Sequence, residues 1–177
     1  MRIRISRSTL RGLLATLCLL AFLGCCYALG NRLSPRDAMG HPLLLSPSVY
    51  RAERYRRAAV GWVSRMGTVD RLLTDVLAEE GGTDPAHLYA LGRRAEEAVG
   101  ESTAVLQDVV FTPPPAALVG LAEQVQAVAQ AYLEAAQATA RWVGAPEPEA
   151  RYAALERLRT ARGLRMELER SAWLDAR

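Results

Sequence analysis

Residues 52–76 read AERYRRAAVGWVSRMGTVDRLLTDV, and apolar residues recur along them at alternating intervals of three and four positions. This alternation is the heptad repeat of an α-helix whose apolar stripe packs against neighbouring helices. It predicts a first helix from about Ser48 to Glu80, ended by Gly81 and Gly82. The apolar seam of this helix is predicted to comprise Ala52, Tyr55, Ala59, Trp62, Met66, Val69, Leu73 and Val76.

The same spacing continues through the rest of the chain. Helix two is predicted over about 85–110, helix three over about 116–143 and helix four over about 149–174, with proline-containing breaks between them. The predicted seams are Leu88, Leu91, Ala95, Ala98, Ser102, Val105 and Val109 in helix two, and Leu118, Leu121, Val125, Val128, Tyr132, Ala135, Thr139 and Trp142 in helix three. Helix four keeps the spacing less strictly, because Arg165 falls on its seam beside Ala154, Leu158, Ala161, Leu168 and Ala172.

The short breaks determine how these helices are arranged. A connection of a few residues does not return the chain to a parallel start, so successive helices must run antiparallel. No segment alternates apolar and polar residues for long enough to predict a strand. We therefore predict an all-α fold: an up-down-up-down antiparallel four-helix bundle over 48–177, following an N-terminal membrane segment. Residues 31–47, which contain three prolines, are predicted to be a tether.

The first thirty residues are typical of an export or membrane-anchoring segment. Four arginines precede a run from Gly12 to Asn31 that has no charged residue. A helix of about 20 apolar residues crosses a bilayer, whereas the apolar part of a signal peptide needs only about 7–15. Residues 1–30 are therefore predicted to be a signal peptide, a lipoprotein signal or an uncleaved signal-anchor helix. The arginines put an uncleaved N-terminus in the cytoplasm and the bundle on the outer face of the cell membrane.

All three cysteines lie in this segment. Leu23-Gly24-Cys25-Cys26 resembles the signal of bacterial lipoproteins, in which apolar and small residues precede a lipid-modified cysteine. The resemblance covers residues 1–26 and implies that Cys25 or Cys26 carries a lipid. With Cys25 as acceptor, the two residues before Gly24 are bulkier than the pattern favours; with Cys26, Cys25 is the unusual residue. The alternative is an anchor helix in which the thiols act as small apolar residues.

Charge is distributed unevenly between the two parts of the chain. The formal net charge is +3, from 22 basic residues, all arginine, and 19 acidic residues. From Cys26 onward there are 18 arginines and all 19 acidic residues, so this part of the chain has a net charge of −1. A nearly neutral bundle has no electrostatic footprint for nucleic acid, and no nucleic-acid partner is predicted.

One local cluster of positive charge lies in the first turns of helix one. A functional interpretation is that it faces anionic lipid headgroups near the membrane. The alternative is a solvated surface in which Glu53 pairs with a following arginine. The members of this basic cluster are Arg51, Arg54, Arg56 and Arg57.

Residues that carry chemistry are sparse after the N-terminal segment. No cysteine follows Cys26, and the only histidines are His41 in the tether and His87 in the first turn of helix two. Metal sites in helical bundles use inward Glu residues and Glu-x-x-His pairs, and the seams contain neither. Asp84 is close enough in sequence to touch His87, but a polar helix start accounts for both residues. We expect no catalytic residue, no cofactor and no metal, and hence a protein that is not an enzyme.

Two functions are consistent with this architecture. The first is a membrane-tethered extracytoplasmic bundle that acts as an interaction or scaffold module of a bacterial envelope, with helix four as its surface for a protein partner. The second is a bundle that binds a small molecule and signals through a partner protein, which would resemble the periplasmic four-helix domains of bacterial receptors. A ligand would then use the aromatic residues predicted at the two ends of the bundle. These are Tyr55, Trp62, Phe111 and Trp173 at one end, and Tyr89, Trp142 and Tyr152 at the other.

Overall fold

The computed structural model describes residues 7–33, 47–79 and 84–174. No strand occurs in these ranges, so the predicted all-α class is confirmed. The chain divides into two compact units, Met1–Ser46 and Pro47–Arg177. The described helices are α1 (Arg7–Leu33), α2 (Pro47–Ala78), α3 (Pro85–Phe111), α4 (Val119–Gly144) and α5 (Pro148–Glu169), with a 3₁₀ turn at Ala116–Leu118.

The first unit contains α1, which continues past residue 30, the predicted end of the N-terminal segment. Cys18, Cys25 and Cys26 are exposed free thiols on this helix. Among the residues whose side chains are described, which in α1 are 17–30, no helix is long and apolar enough to cross a membrane. Most of the predicted tether, including His41, lies outside the described residues.

Local capping chemistry sets two of the helix starts in the second unit. Asp84 caps α3 by accepting a 3.2 Å hydrogen bond from the backbone N–H of Ala86. Pro85 occupies the first turn of α3, where its missing N–H would have no helical partner, and Pro148 starts α5 in the same way. The predicted glycine stop at 81–82 lies outside the described residues.

The start of predicted helix three differs from the prediction. Residues 116–118 form a 3₁₀ turn, and the α-helix itself begins at Val119. The turn follows three consecutive prolines, which offer no backbone donors, and it is closed by a 2.8 Å hydrogen bond from the N–H of Leu118 to the carbonyl of Pro115. Leu118 is only 1% exposed, so the tighter turn still delivers this seam residue to the core.

The end of predicted helix four also differs. α5 stops at Glu169, and the chain continues as turns closed by the N–H groups of Ser171 and Leu174. Ala172 therefore lies beyond the helix and is exposed, so its assignment to the seam was wrong. The other predicted apolar seam residues of this helix, Ala154, Leu158, Ala161 and Leu168, are buried.

The heptad spacing correctly identifies most of the core of the second unit, and the buried residues Leu77, Ala129, Ala136 and Ala138 lie outside the predicted seams. Every seam residue of predicted helices one to three is buried except at two ends, where Ala52 is half-buried and Leu88 is 36% exposed. Burial of one large apolar side chain stabilises a fold by about 1.5–3 kcal/mol. The two polar seam residues, Ser102 and Thr139, donate their hydroxyls to carbonyls four residues earlier, so their burial leaves no orphaned group.

α4 makes the most extensive contacts of the helices in this unit. It packs against α2, α3 and α5, and its contacts with α3 and α5 are the most extensive. Small side chains on α4 allow these neighbours to approach closely on several sides. The buried alanines of α4 are Ala129, Ala135, Ala136 and Ala138.

Where two helices form more than one polar contact, the residue numbers of the contacts rise along one helix and fall along the other. Between α2 and α3, Arg65 donates to Glu101 at 2.6 Å, whereas the later residue Glu79 accepts from the earlier residue Arg94 at 2.6 Å. The same reversal holds for α2 with α5, where Asp70 contacts Arg162 and Leu77 contacts Arg151. It also holds for α4 with α5, where Glu134 contacts Arg157 and Trp142 contacts Arg151.

Trp62 tests the assignment of the α2 seam, because its side chain is 6% exposed and belongs to the core. Replacing Trp62 with Ala should lower the free energy of unfolding by about 3–5 kcal/mol through the cavity it leaves. Val60, which is 54% exposed on the same helix, provides the control. Val60→Ala should change the free energy of unfolding by less than about 0.5 kcal/mol. Urea denaturation followed by circular dichroism measures both; a loss below about 1 kcal/mol for Trp62→Ala would contradict the assignment.

Candidate functional site

A groove of about 1010 Å³ opens beside the first turns of α2. One wall is formed by Tyr55, Ala58 and Trp62, and the other by Phe111 and residues 112–117. Its volume lies at the upper end of the roughly 300–1,000 Å³ that is usual for small-molecule sites.

The groove exists because α2 is longer than its neighbour α5. α2 has 32 residues and α5 has 22, a difference of about 15 Å at 1.5 Å per residue. Arg165 lies against Gly67, and α5 ends four residues after Arg165, at Glu169. Since the two helices pair in opposite residue order, α2 extends beyond the end of α5 on the side of its first turns. We call this part of α2, residues 47–62, the overhang.

Aromatic rings form the apolar surface of the groove. The rings of Tyr55 and Trp62 pack edge to face, with centroids 5.6 Å apart and an interplanar angle of 77°. Phe111 is 81% exposed, which is unusual for so large an apolar side chain. Three of the four aromatic residues predicted at this end thus line one groove, whereas Trp173 is not part of its lining.

The predicted basic cluster is divided by the structure. Arg51 and Arg54 line the groove, and neither forms an ion pair with any described residue. Arg57 instead pairs with Glu53 at 3.2 Å, as the solvated-surface interpretation predicts for this residue. Arg56 is half-buried, and its Nε has no hydrogen-bond partner within the described ranges.

The charges around the groove are arranged asymmetrically. Arg51 and Arg54 lie at the start of α2, while the acidic lining residue Asp108 lies near the end of α3. Asp108 accepts a hydrogen bond from Arg65, which also donates to Glu101, so its negative charge is compensated. Among the described residues, the charges at the groove that lack an ionic partner are therefore those of Arg51 and Arg54, at the start of α2.

Tyr55, which is part of the groove lining, carries a buried hydroxyl. The residue is 3% exposed, and its hydroxyl has no hydrogen-bond partner among the described residues. Burial raises the pKa of this hydroxyl above its ordinary value, so it remains a protonated donor. An orphaned buried donor costs about 1–3 kcal/mol, and an acceptor supplied by a ligand would recover part of that cost.

A second polar cluster lies between α2, α4 and α5. Asp70 accepts a 2.7 Å hydrogen bond from Nε of Arg162 and lies 3.9 Å from a guanidinium nitrogen of Arg165. The guanidinium carbon of Arg165 is 5.9 Å from the ring centroid of Tyr132, in a cation–π arrangement. Tyr132 is 1% exposed, its hydroxyl has no partner in the described part of the chain, and burial raises its pKa to about 12.

The sequence signalled this second cluster only in part. Arg165 falls on the predicted seam of helix four, and a cation at a buried position requires a compensating charge. Spacing along one helix identifies one such partner, Glu169, whose carboxylate lies 3.4 Å from Arg165, but it does not identify Asp70. Only packing brings Asp70 of α2 to Arg165, whose side chain is 20% exposed.

His87 is paired differently from what its sequence neighbours suggest. Asp84 is used as the cap of α3, and Nε2 of His87 instead lies 3.1 Å from Oε2 of Glu79 at the end of α2. Among the described residues, no group of three or more His, Cys, Asp or Glu side chains could hold a metal ion.

α5 leaves several large side chains in solvent. Tyr152 is 75% exposed, Leu155 40% and Met166 46%, and helical spacing puts the three on one side of the helix. This surface is where the sequence predicted a protein partner.

Comparison with family models, curated proteins and solved structures finds no match to this chain. Its function is therefore inferred from the groove and the exposed surfaces themselves.

The buried hydroxyl of Tyr132 should make the folded protein less stable at alkaline pH. Its hydroxyl ionises near pH 10 in the unfolded chain and near pH 12 in the folded one, so stability that is complete below pH 10 falls as the pH rises to 12. The fall attributable to this residue should be about 2–3 kcal/mol. Urea denaturation across this pH range should show a smaller alkaline loss for Tyr132→Phe than for the wild type. Tyr152→Phe, at an exposed position, should behave as the wild type does. Equal losses in all three proteins would contradict the burial of the Tyr132 hydroxyl.

Proposed function

We propose that this chain is a membrane-tethered helical bundle on the outer face of a bacterial cell membrane, and that it acts by binding rather than by catalysis. The bundle is proposed to be an up-down-up-down antiparallel arrangement of α2 to α5. The reversed order of the interhelical contacts and the short connections support this arrangement.

The tether is proposed from the N-terminal sequence. Four arginines precede an uncharged run, and Cys25 and Cys26 follow in a pattern that resembles a lipoprotein signal. Both thiols are exposed on α1, which is compatible with lipid attachment. Either a lipid on one of these cysteines or an uncleaved anchor helix would hold the bundle at the outer face.

The groove is the observation that carries the binding function. It combines an apolar aromatic lining with two arginines that form no ion pair among the described residues, and such sites combine apolar contact area with a few orienting polar groups. A volume of about 1010 Å³ is large enough for a small organic ligand. This observation favours a small-molecule-binding bundle, which would signal through a partner protein.

A scaffold function is the second candidate, and the exposed side of α5 favours it. Tyr152, Leu155 and Met166 would supply apolar anchors at helical spacing to a protein partner. The two functions use different surfaces, so substitutions separate them.

Mass spectrometry of the mature N-terminus tests the tether. The expected result is a diacylglycerol group on Cys25 or Cys26, or an intact Met1 on a protein that fractionates with the membrane. Cys25→Ala and Cys26→Ala distinguish the two acceptors, since only loss of the modified cysteine removes the lipid. A soluble protein beginning after the N-terminal segment would overturn the tether.

A thermal-shift screen of the full chain against small organic ligands tests the binding function. A ligand present at about a hundred times its Kd should raise Tm by roughly 5–10 °C. Phe111→Ser should abolish the shift, because this exposed ring lines the groove without belonging to the core. Tyr89→Ser is the matched control, since Tyr89 is 73% exposed and is not part of the groove lining. If no ligand class shifts Tm, or if Phe111→Ser leaves the shifts intact, the groove is not the binding element.

A further inference from the structure

We propose that the groove binds a free single-chain anionic amphiphile, with its acidic headgroup at Arg51 and Arg54 and its acyl chain along Tyr55, Trp62 and Phe111. This inference rests on the proposed function, namely that the groove binds a ligand. It adds the chemical class of that ligand and the direction in which it lies.

Charge complementarity argues for an anionic headgroup. Arg51 and Arg54 are three residues apart on α2, a spacing that puts neighbouring side chains on one side of a helix. Nε of Arg51 donates to the carbonyl of Pro47, and no described acidic residue pairs with either guanidinium. The one acidic lining residue, Asp108, is compensated by Arg65. Two adjacent guanidinium groups with no described acidic partner suit a carboxylate, whose oxygens accept charge-assisted hydrogen bonds from both.

The hydroxyl of Tyr55 provides an independent indication of a ligand. Tyr55 follows Arg51 by one helical turn, is 97% buried and has an orphaned hydroxyl within the described ranges. The residue lines the groove next to the two arginines. The hydroxyl is fully buried as it stands, so a headgroup oxygen would complete this donor only after neighbouring side chains shift to uncover it.

The opposite wall of the groove argues for an acyl chain rather than a peptide. Pro113, Pro114 and Pro115 line it and have no backbone N–H to donate. A peptide in this groove would therefore leave many of its own backbone groups unpaired, which is costly away from water. An alkyl chain has no polar groups to satisfy and gains chiefly from apolar contact with the prolines and the exposed ring of Phe111.

The test uses the full chain reconstituted in phosphatidylcholine nanodiscs and titrated calorimetrically, with the signal from empty nanodiscs subtracted. The probes are decanoate, the neutral decanol, and inorganic phosphate. Decanoate is expected to bind with a stoichiometry of one, decanol more weakly, and phosphate not measurably. Raising the salt concentration should reduce the preference for decanoate over decanol, since exposed charges are screened.

Two double variants locate the headgroup. Arg51→Gln with Arg54→Gln should weaken decanoate binding about tenfold and leave decanol binding unchanged. Arg93→Gln with Arg141→Gln removes the same net charge from exposed positions that are not part of the groove lining, and it should have no effect. Circular dichroism confirms that each variant is folded. Phe111→Ser should weaken both probes, because it removes part of the surface that contacts the chain.

Several outcomes would overturn this inference, and they are distinguishable from failure of the proposed function. If decanoate and decanol bind with equal affinity, and Phe111→Ser abolishes the binding of both, then the groove binds a ligand but has no preference for an anionic headgroup. If other ligands raise Tm, the rise is lost in Phe111→Ser, and neither decanoate nor decanol binds, then the groove binds a ligand that is not an amphiphile. If decanoate binds the wild type in phosphatidylcholine nanodiscs but not in nanodiscs that contain phosphatidylglycerol, the occupant is a membrane lipid rather than a free amphiphile. Self-association of the chain that Phe111→Ser prevents would identify a second copy as the occupant.

Discussion

The burial of α4 against three neighbouring helices is the constraint on which the second unit depends. Ten of the 26 residues of α4 are buried, and the helix packs on α2, α3 and α5. Alanines let those helices approach, while Tyr132 and Trp142 fill the spaces between them. Because α4 packs on three helices, the positions of those helices around it determine which side chains meet and which are left in solvent.

Polar contacts add specificity to this apolar packing. Exposed ion pairs such as Arg159 with Glu156 contribute little to stability, about 0.2–1 kcal/mol. Asp70 differs, because its side chain is only 15% exposed and it faces both Arg162 and Arg165. Removing one member of such a cluster would leave a charge uncompensated in a half-buried place, so the cluster favours one alignment of α2 with α5. That alignment is also what leaves the overhang of α2 without α5 beside it.

The groove follows from a difference in helix length together with the prolines that precede α4. The α2 seam continues to Tyr55, but at that level α5 has ended and the facing chain is a proline segment instead of a helix. The seam residues Tyr55 and Trp62 stay buried here, and the apolar side chain left in solvent beside them is Phe111. The proposed amphiphile site and the proposed membrane tether are consistent with each other, since the groove lies at the start of α2, the helix that follows the tether in sequence.

The sequence by itself determined the all-α class, the approximate helices and most of the core, because heptad spacing is a local property and burial follows it directly. It also indicated that Tyr55, Trp62 and Phe111 belong to one end of the bundle. It did not determine that α5 stops at Glu169, since no proline or glycine marks that end. Likewise, Arg165 was visible as an interruption, and its neighbour Glu169 lies one helical turn away, but its other acidic partner, Asp70, lies 95 positions away in the sequence. The tertiary structure alone decided the groove, the division of the basic cluster and the polar cluster at Tyr132. Each of these depends on which residues distant in the chain face one another, and the spacing of apolar residues along one helix carries no information about that.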